Sequence, residues 1–109
     1  MDKAIYKIVI KERAEQDLFA AIDYYAINYS IEYAKYFKDE FYKTAETALP
    51  FVWVYPECRY LPTKNHIYRN IIWNDYLIIY KILKTEIWVV GLFHTAQNQK
   101  KLKGYKKVK

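Results

Sequence analysis

A chain of 109 residues that is 53% hydrophobic, with only two Gly and three Pro, suffices for one domain over residues 1–109 and leaves no room for a second domain or a flexible linker. Its net charge of +6 is unevenly placed, because residues 1–50 carry seven Lys or Arg against nine Asp or Glu and residues 51–109 carry eleven against three. The lone Cys58 excludes an internal disulfide framework and a multi-thiolate metal site, and no run approaches the roughly twenty apolar residues that cross a bilayer.

At the N-terminus, Asp2 and Lys3 lead into an alternation broken by Lys7 and Lys11, which does not read as a signal peptide. With a single cysteine, this predicts a cytoplasmic protein that makes no use of the membrane. Ala4 to Ile10 is rich in β-branched residues and predicts a strand that joins a later sheet. From Ala14 the period changes: Ala14, Leu18, Ala21, Ile22, Tyr25 and Tyr29 recur at three and four, the spacing of one helix face. Asp17 and Asp23 on that helix read as surface or capping residues. Ser30 is a good N-cap, and Glu32 follows in the first turn, where a carboxylate meets the positive end of the helix dipole. A second helix therefore begins there, with Tyr33, Phe37, Phe41, Thr44 or Ala45, and Ala48 as its stripe and Pro50 at its end. So short a connection predicts an antiparallel helical hairpin.

The stretch FVWVYPECRYLPTKNH is broken by Pro56 and Pro62 and reads as a long loop carrying Arg59, Lys64 and His66. Loops of that length in small domains are often functional. Ile67 to His94 then splits into three runs rich in Ile, Val, Leu, Tyr and Trp, separated by Asn74-Asp75 and Lys84-Thr85, which predicts an antiparallel meander. Two-residue turns at both breaks set Trp73 opposite Tyr76, Arg69 opposite Tyr80, Tyr80 opposite Val89 and His94 opposite Asp75. The fold class expected is α+β, in the order β-α-α-β-β-β, with an antiparallel sheet and the helical hairpin packed on one face. Six of the residues 100–109 are Lys, with no acid among them. Such a run predicts a solvated, mobile tail, and its charge suits a nucleic acid or an acidic protein. Thirteen Tyr and three Trp predict a polar-rimmed core or an aromatic surface that meets a partner.

Arg69 is the only Arg in the meander, set among Ile67, Ile71 and Trp73. It reads either as a rim residue stacked on Tyr80 or as an anchored phosphate or carboxylate binder. His66 and His94 are the only histidines and, with Arg69, the candidates for metal-free acid–base chemistry on RNA. No His-x-x-x-His or Cys-x-x-Cys spacing points to a metal, and two glycines are too few for a phosphate-cradling loop, so no cofactor is expected.

The order and spacing of these pieces resemble the ParE/RelE superfamily of type II toxins (plasmid stabilisation systems) from about Ile5 to Leu102. The pieces are the first strand, a helix opening at Ala14 with Asp17-Leu18, a second helix from Ser30 carrying Ala34, then Tyr68-Arg69, the run Tyr76 to Ile82, and Ile87 to His94. The resemblance implies a small basic toxin in a hetero-oligomer with a cognate antitoxin. It implies growth arrest through DNA gyrase in the ParE branch, or cleavage of ribosome-bound mRNA in the RelE branch, and a third reading is an inactive toxin-fold co-repressor. Arg69 matches the strand arginine that helps hold the scissile phosphate in RNA-cutting relatives, and Lys64 falls in their basic loop. Related toxins often carry Thr-Arg-Gln-Asn-Pro after the last strand, whereas this chain has Thr95-Ala96-Gln97-Asn98-Gln99, so Ala96 replaces the Arg. Losing that cation favours gyrase over RNA cleavage. The expected site is Arg69 with His94 for catalysis, if there is any, and Lys64, His66, Tyr80, Lys100 and Lys101 for target or nucleic-acid binding. The antitoxin is expected to cover apolar and aromatic surface on this domain, given the aromatic excess and the apolar residues on both faces of the meander.

Overall fold

In a computed structural model, which describes residues 6–48 and 51–109, each element arises where the sequence pattern changes period. Strand β1 spans Lys7–Ile10, and Ala4 and Ile5 of the expected run lie outside the described residues. Helix α1 spans Glu12–Asn28 and buries Ala14, Leu18 and Ala21. Helix α2 spans Ile31–Ala48, and Ser30 caps it as its residue type predicts, with Oγ accepting the Tyr33 N–H at 3.0 Å. The stop expected at Pro50 also lies outside the described residues.

The meander forms from β2 (Tyr68–Trp73), β3 (Tyr76–Ile82) and β4 (Glu86–His94), in a sheet ordered β1-β4-β3-β2. Asn74 adopts φ 54°, the left-handed conformation that Asn tolerates, and the turn sets Trp73 opposite Tyr76 and Arg69 opposite Tyr80. Two features depart from the expected sheet. Strand β1 pairs parallel to β4, so the sheet is mixed and only the β2–β3 and β3–β4 pairs are antiparallel. The cause is the loop over residues 51–67, which delivers the chain to β2 so that β2 and β4 run in the direction of β1. The second departure is a bulge. The register steps from Tyr80 opposite Val89 to Ile79 opposite Gly91, which moves His94 from Asp75 to Tyr76.

Both faces of the sheet carry a packed layer, with Ile72 of β2 left exposed. Leu18, Phe37, Phe41 and Ala45 of the helices meet Ile71, Ile78, Tyr80, Ile87 and Val89 on one face. On the other, Cys58 and Leu61 of the loop, together with Leu102 and Tyr105, pack on Tyr68, Ile79, Val90 and Phe93. The lysine-rich end is therefore no loose tail: Gln99–Lys107 is a 3₁₀ helix, with Leu102 fully buried. The bulge makes this layer possible by turning Val90 and Gly91 to the same side, where a Cβ on Gly91 would enter the Tyr105 ring.

Three buried tyrosines give the fold a pH dependence. Burial pushes the phenols of Tyr76, Tyr80 and Tyr105 upward, with further upward contributions from Tyr25 on Tyr76 and from Asp17 on Tyr105, and against a downward pull of Arg69 on Tyr80. The buried Cys58 thiol is raised too, also by burial first. Groups raised on folding contribute stability that is fully present below their unfolded pKa and lost as pH climbs toward the folded one. The urea midpoint should therefore begin to fall above about pH 9 and steepen past about pH 10, where unfolded tyrosines ionise. Tyr80→Phe should flatten that decline, and an equally steep decline in the variant would contradict the assignment.

Candidate functional site

The expected site residues fall into two groups at opposite ends of the sheet. The first surrounds Arg69 on the β2 edge. Its Nε donates to the His66 carbonyl at 2.9 Å, and one Nη donates to the carbonyls of Tyr55 at 2.7 Å and Trp53 at 3.4 Å. The guanidinium also lies 5.1 Å from the Trp53 ring centroid. The carbonyls Arg69 grips belong to the loop that closes this face of the core. Tyr80 joins the same clamp, fully buried, with its hydroxyl donating to the Val52 carbonyl at 2.6 Å.

Glu57, which composition alone did not single out, organises the rest of that loop. Its Oε2 accepts from His66 Nδ1 at 3.1 Å and from the Thr63 N–H at 3.4 Å. Desolvation pulls the Glu57 carboxyl upward, but the bonds from His66 and Thr63 outweigh it and hold the group below the usual glutamate value. Pro56 and Cys58 pair with the outer edge of β2, through the Asn70 N–H to the Pro56 carbonyl at 3.1 Å and the Cys58 N–H to the Tyr68 carbonyl at 2.8 Å. His66 takes φ 56° at the end of the loop, and Lys64 is exposed beside it.

The second group lies at the C-terminal end of β4. His94 packs edge-on against Tyr76, with ring centroids 4.9 Å apart, and its Nδ1 accepts the Ala96 N–H at 3.1 Å. That bond assigns the imidazole proton to Nε2. The ring borders a cleft of about 400 Å³ lined by Arg13, Tyr24, Tyr25, Tyr76, Gln97 and Lys101 among others. Asp17 forms its inner corner. The carboxylate accepts from Arg13 Nε at 3.2 Å, from the Leu92 N–H at 3.0 Å and from the Tyr105 hydroxyl at 2.7 Å. Asp17 is thus no surface residue: it satisfies a backbone donor of β4 beyond the last residue paired with β1 and ties the C-terminal segment to α1. Its position three residues after Ala14 and four before Ala21, inside the apolar stripe, was the available signal.

Arg69 and His94 do not meet. Arg69 is paired with Tyr80 and His94 with Tyr76, which separates them by about 13 Å along β3 and about 10 Å across two strand spacings. Acid–base and phosphate-clamping groups acting on one reacting phosphate need to lie within hydrogen-bond reach of it.

From the cleft an aromatic stripe runs to the tip of the helical hairpin. Tyr24, Ile27, Tyr29, Ile31, Tyr33 and Tyr36 are all exposed, Ile27 at 81%. Tyr25 makes ring contacts with Tyr24, Tyr29 and Tyr33, and these contacts hold the stripe's rings in place. A large exposed aromatic surface therefore lies on the helices, whereas the layers packed on the meander leave Ile72 of β2 exposed at 73%.

Comparison with known proteins places this geometry in a family. The model of the ParE toxin of the type II toxin-antitoxin system, parDE, matches residues 8–99. Among solved structures, a chain of the chromosomal ParDE TA system from P. aeruginosa is similar, with a TM-score of 0.67 at 17% identity, over 83% of this chain and 96% of that one. A search of curated proteins found no match.

Proposed function

Since the chain belongs to the ParE toxin family of type II toxin-antitoxin systems, we propose that it acts in the cytoplasm by contacting DNA gyrase, and that growth arrest follows from that contact. The family implies an antitoxin partner, and among the described residues no helix is long and apolar enough to cross a membrane. The observation that carries the gyrase reading is the dispersal of the cations and histidines that RNA cleavage would require. Arg69 grips loop carbonyls, His94 lies at the far end of the sheet, and Ala96 stands where related toxins have an arginine. Inhibition by contact needs only a complementary surface. The stripe from the His94 cleft to Tyr36 supplies one of the kind found at protein interfaces, rich in rigid, amphipathic rings. The same stripe suits an antitoxin segment that orders as it binds.

One observation favours a second reading, cleavage of ribosome-bound mRNA. Glu57 and His66 of the loop sit together beside Arg69 of β2, with Lys64 nearby, an acid–base pair beside cations. Two assays on one wild-type preparation decide between them. The expected result is inhibited gyrase supercoiling and intact ribosome-bound message. Codon-positioned cuts with normal supercoiling would establish the second reading instead, and inactivity in both assays would leave an inactive co-repressor.

A further inference from the structure

The C-terminal 3₁₀ helix has a three-residue beat that its lysine content hides. Leu102 and Tyr105 are buried, Val108 is half-buried, and in a helix of three residues per turn positions i and i+3 lie on one line. The other two lines are Lys100, Lys103 and Lys106, and Lys101, Gly104 and Lys107. All five of those lysines are exposed, and residues 95–109 contain no acid. The rise of a 3₁₀ helix spaces Lys100, Lys103 and Lys106 by about 6 Å each, and Lys101 and Lys107, on either side of Gly104, by about 12 Å.

Two bonds fix the ridge to the domain and a third caps its start. The Tyr105 hydroxyl donates to Asp17 at 2.7 Å, Asn98 Oδ1 accepts the Lys100 N–H at 3.0 Å, and Lys106 Nζ donates to the Pro62 carbonyl at 3.1 Å. Its charges are therefore carried on an ordered backbone, and evenly spaced fixed cations suit a polyanion whose charges are also evenly spaced.

We propose that this ridge binds the phosphate backbone of duplex DNA without regard to sequence. The residue types carry the choice. Lysine is a compact point charge, and the ridge has no arginine to read base edges in a bidentate way. Its two outward rows present no aromatic ring on which unpaired bases could stack, which disfavours a single strand. They present no large apolar anchor either, which disfavours an acidic protein. The preference for DNA over duplex RNA rests on the gyrase reading, because a toxin seated on gyrase stands beside the duplex that gyrase holds.

The test uses the full chain and a labelled DNA duplex of arbitrary sequence, without gyrase. With about four phosphate contacts, affinity should fall roughly a hundredfold between 50 and 200 mM salt. The triple variant Lys100→Gln, Lys103→Gln, Lys107→Gln keeps Leu102, Tyr105 and the Lys106 bond. It should flatten the slope of log affinity against log salt by about 2.7, for three lost contacts. Unchanged binding in the folded triple variant overturns the proposal. So does an RNA duplex or a phosphatidylserine vesicle bound as tightly as the DNA. A wild type that inhibits supercoiling yet leaves free DNA unbound refutes the ridge proposal and leaves the gyrase reading intact. One that binds DNA but spares supercoiling supports the ridge and refutes the gyrase reading.

Discussion

Tyr105→Ala should destabilise the domain by about 4 kcal/mol, from the cavity that a buried aromatic leaves and the loss of its bond to Asp17. At about 4 °C per kcal/mol for a domain of this size, thermal unfolding should shift down by roughly 15 °C. Tyr105→Phe keeps the ring and should cost only about 1 kcal/mol, since Asp17 still receives Arg13 and the Leu92 N–H. Gly91→Ala presses a methyl into the same ring and should cost about 1–3 kcal/mol alone. Combined with Tyr105→Ala, that methyl meets empty space, so the double variant should be more stable than the sum of the single losses implies. Strict additivity, or a Tyr105→Ala loss below about 1 kcal/mol, would mean that the C-terminal segment is peripheral to the fold.

Arg69→Ala should cost about 2–3 kcal/mol, because it strips charge-assisted donors from the carbonyls of Tyr55 and His66. Limited proteolysis should then cut within residues 51–67, which the wild type protects. Arg69→Lys should recover little of this, since an ammonium cannot reproduce a planar fork that grips several carbonyls at once. Toxicity in cells should fall in step with the folded fraction in both variants. A variant that is as stable and as protease-resistant as wild type yet harmless would show instead that Arg69 touches the target.

The sequence made the skeleton readable wherever one residue type has one physical job. Ser30 capped α2, Asn74 supplied a positive φ, and the pairing of Arg69 with Tyr80 followed from the length of that turn. What escaped depended on contacts between distant segments. The direction of β1 was set by where the long loop returns the chain, which no local pattern records. The bulge left one trace, a glycine inside an apolar strand, because Gly91 in a strand interior marks a bulge or a close approach. Composition pointed to a solvated tail at residues 100–109, although Leu102, Tyr105 and Val108 already kept the period of a packed 3₁₀ helix. The site residues were harder still, because a sequence shows that Arg69 is a cation but not that loop carbonyls take up its donors.

The Tyr105 to Asp17 bond joins residues 88 apart, and β1 pairs with residues 86–89. Neither contact can form until its later partner, residues 86–89 or Tyr105, has been synthesised and has left the ribosome. The α-hairpin and the meander rest on more local contacts and can assemble early, whereas these two contacts close long loops and come last. Truncated or stalled products therefore lack the outer layer of the sheet and the anchor of the C-terminal ridge. Only a polypeptide that has released residues 86–105 can present the intact surface, which delays its action until that segment has folded.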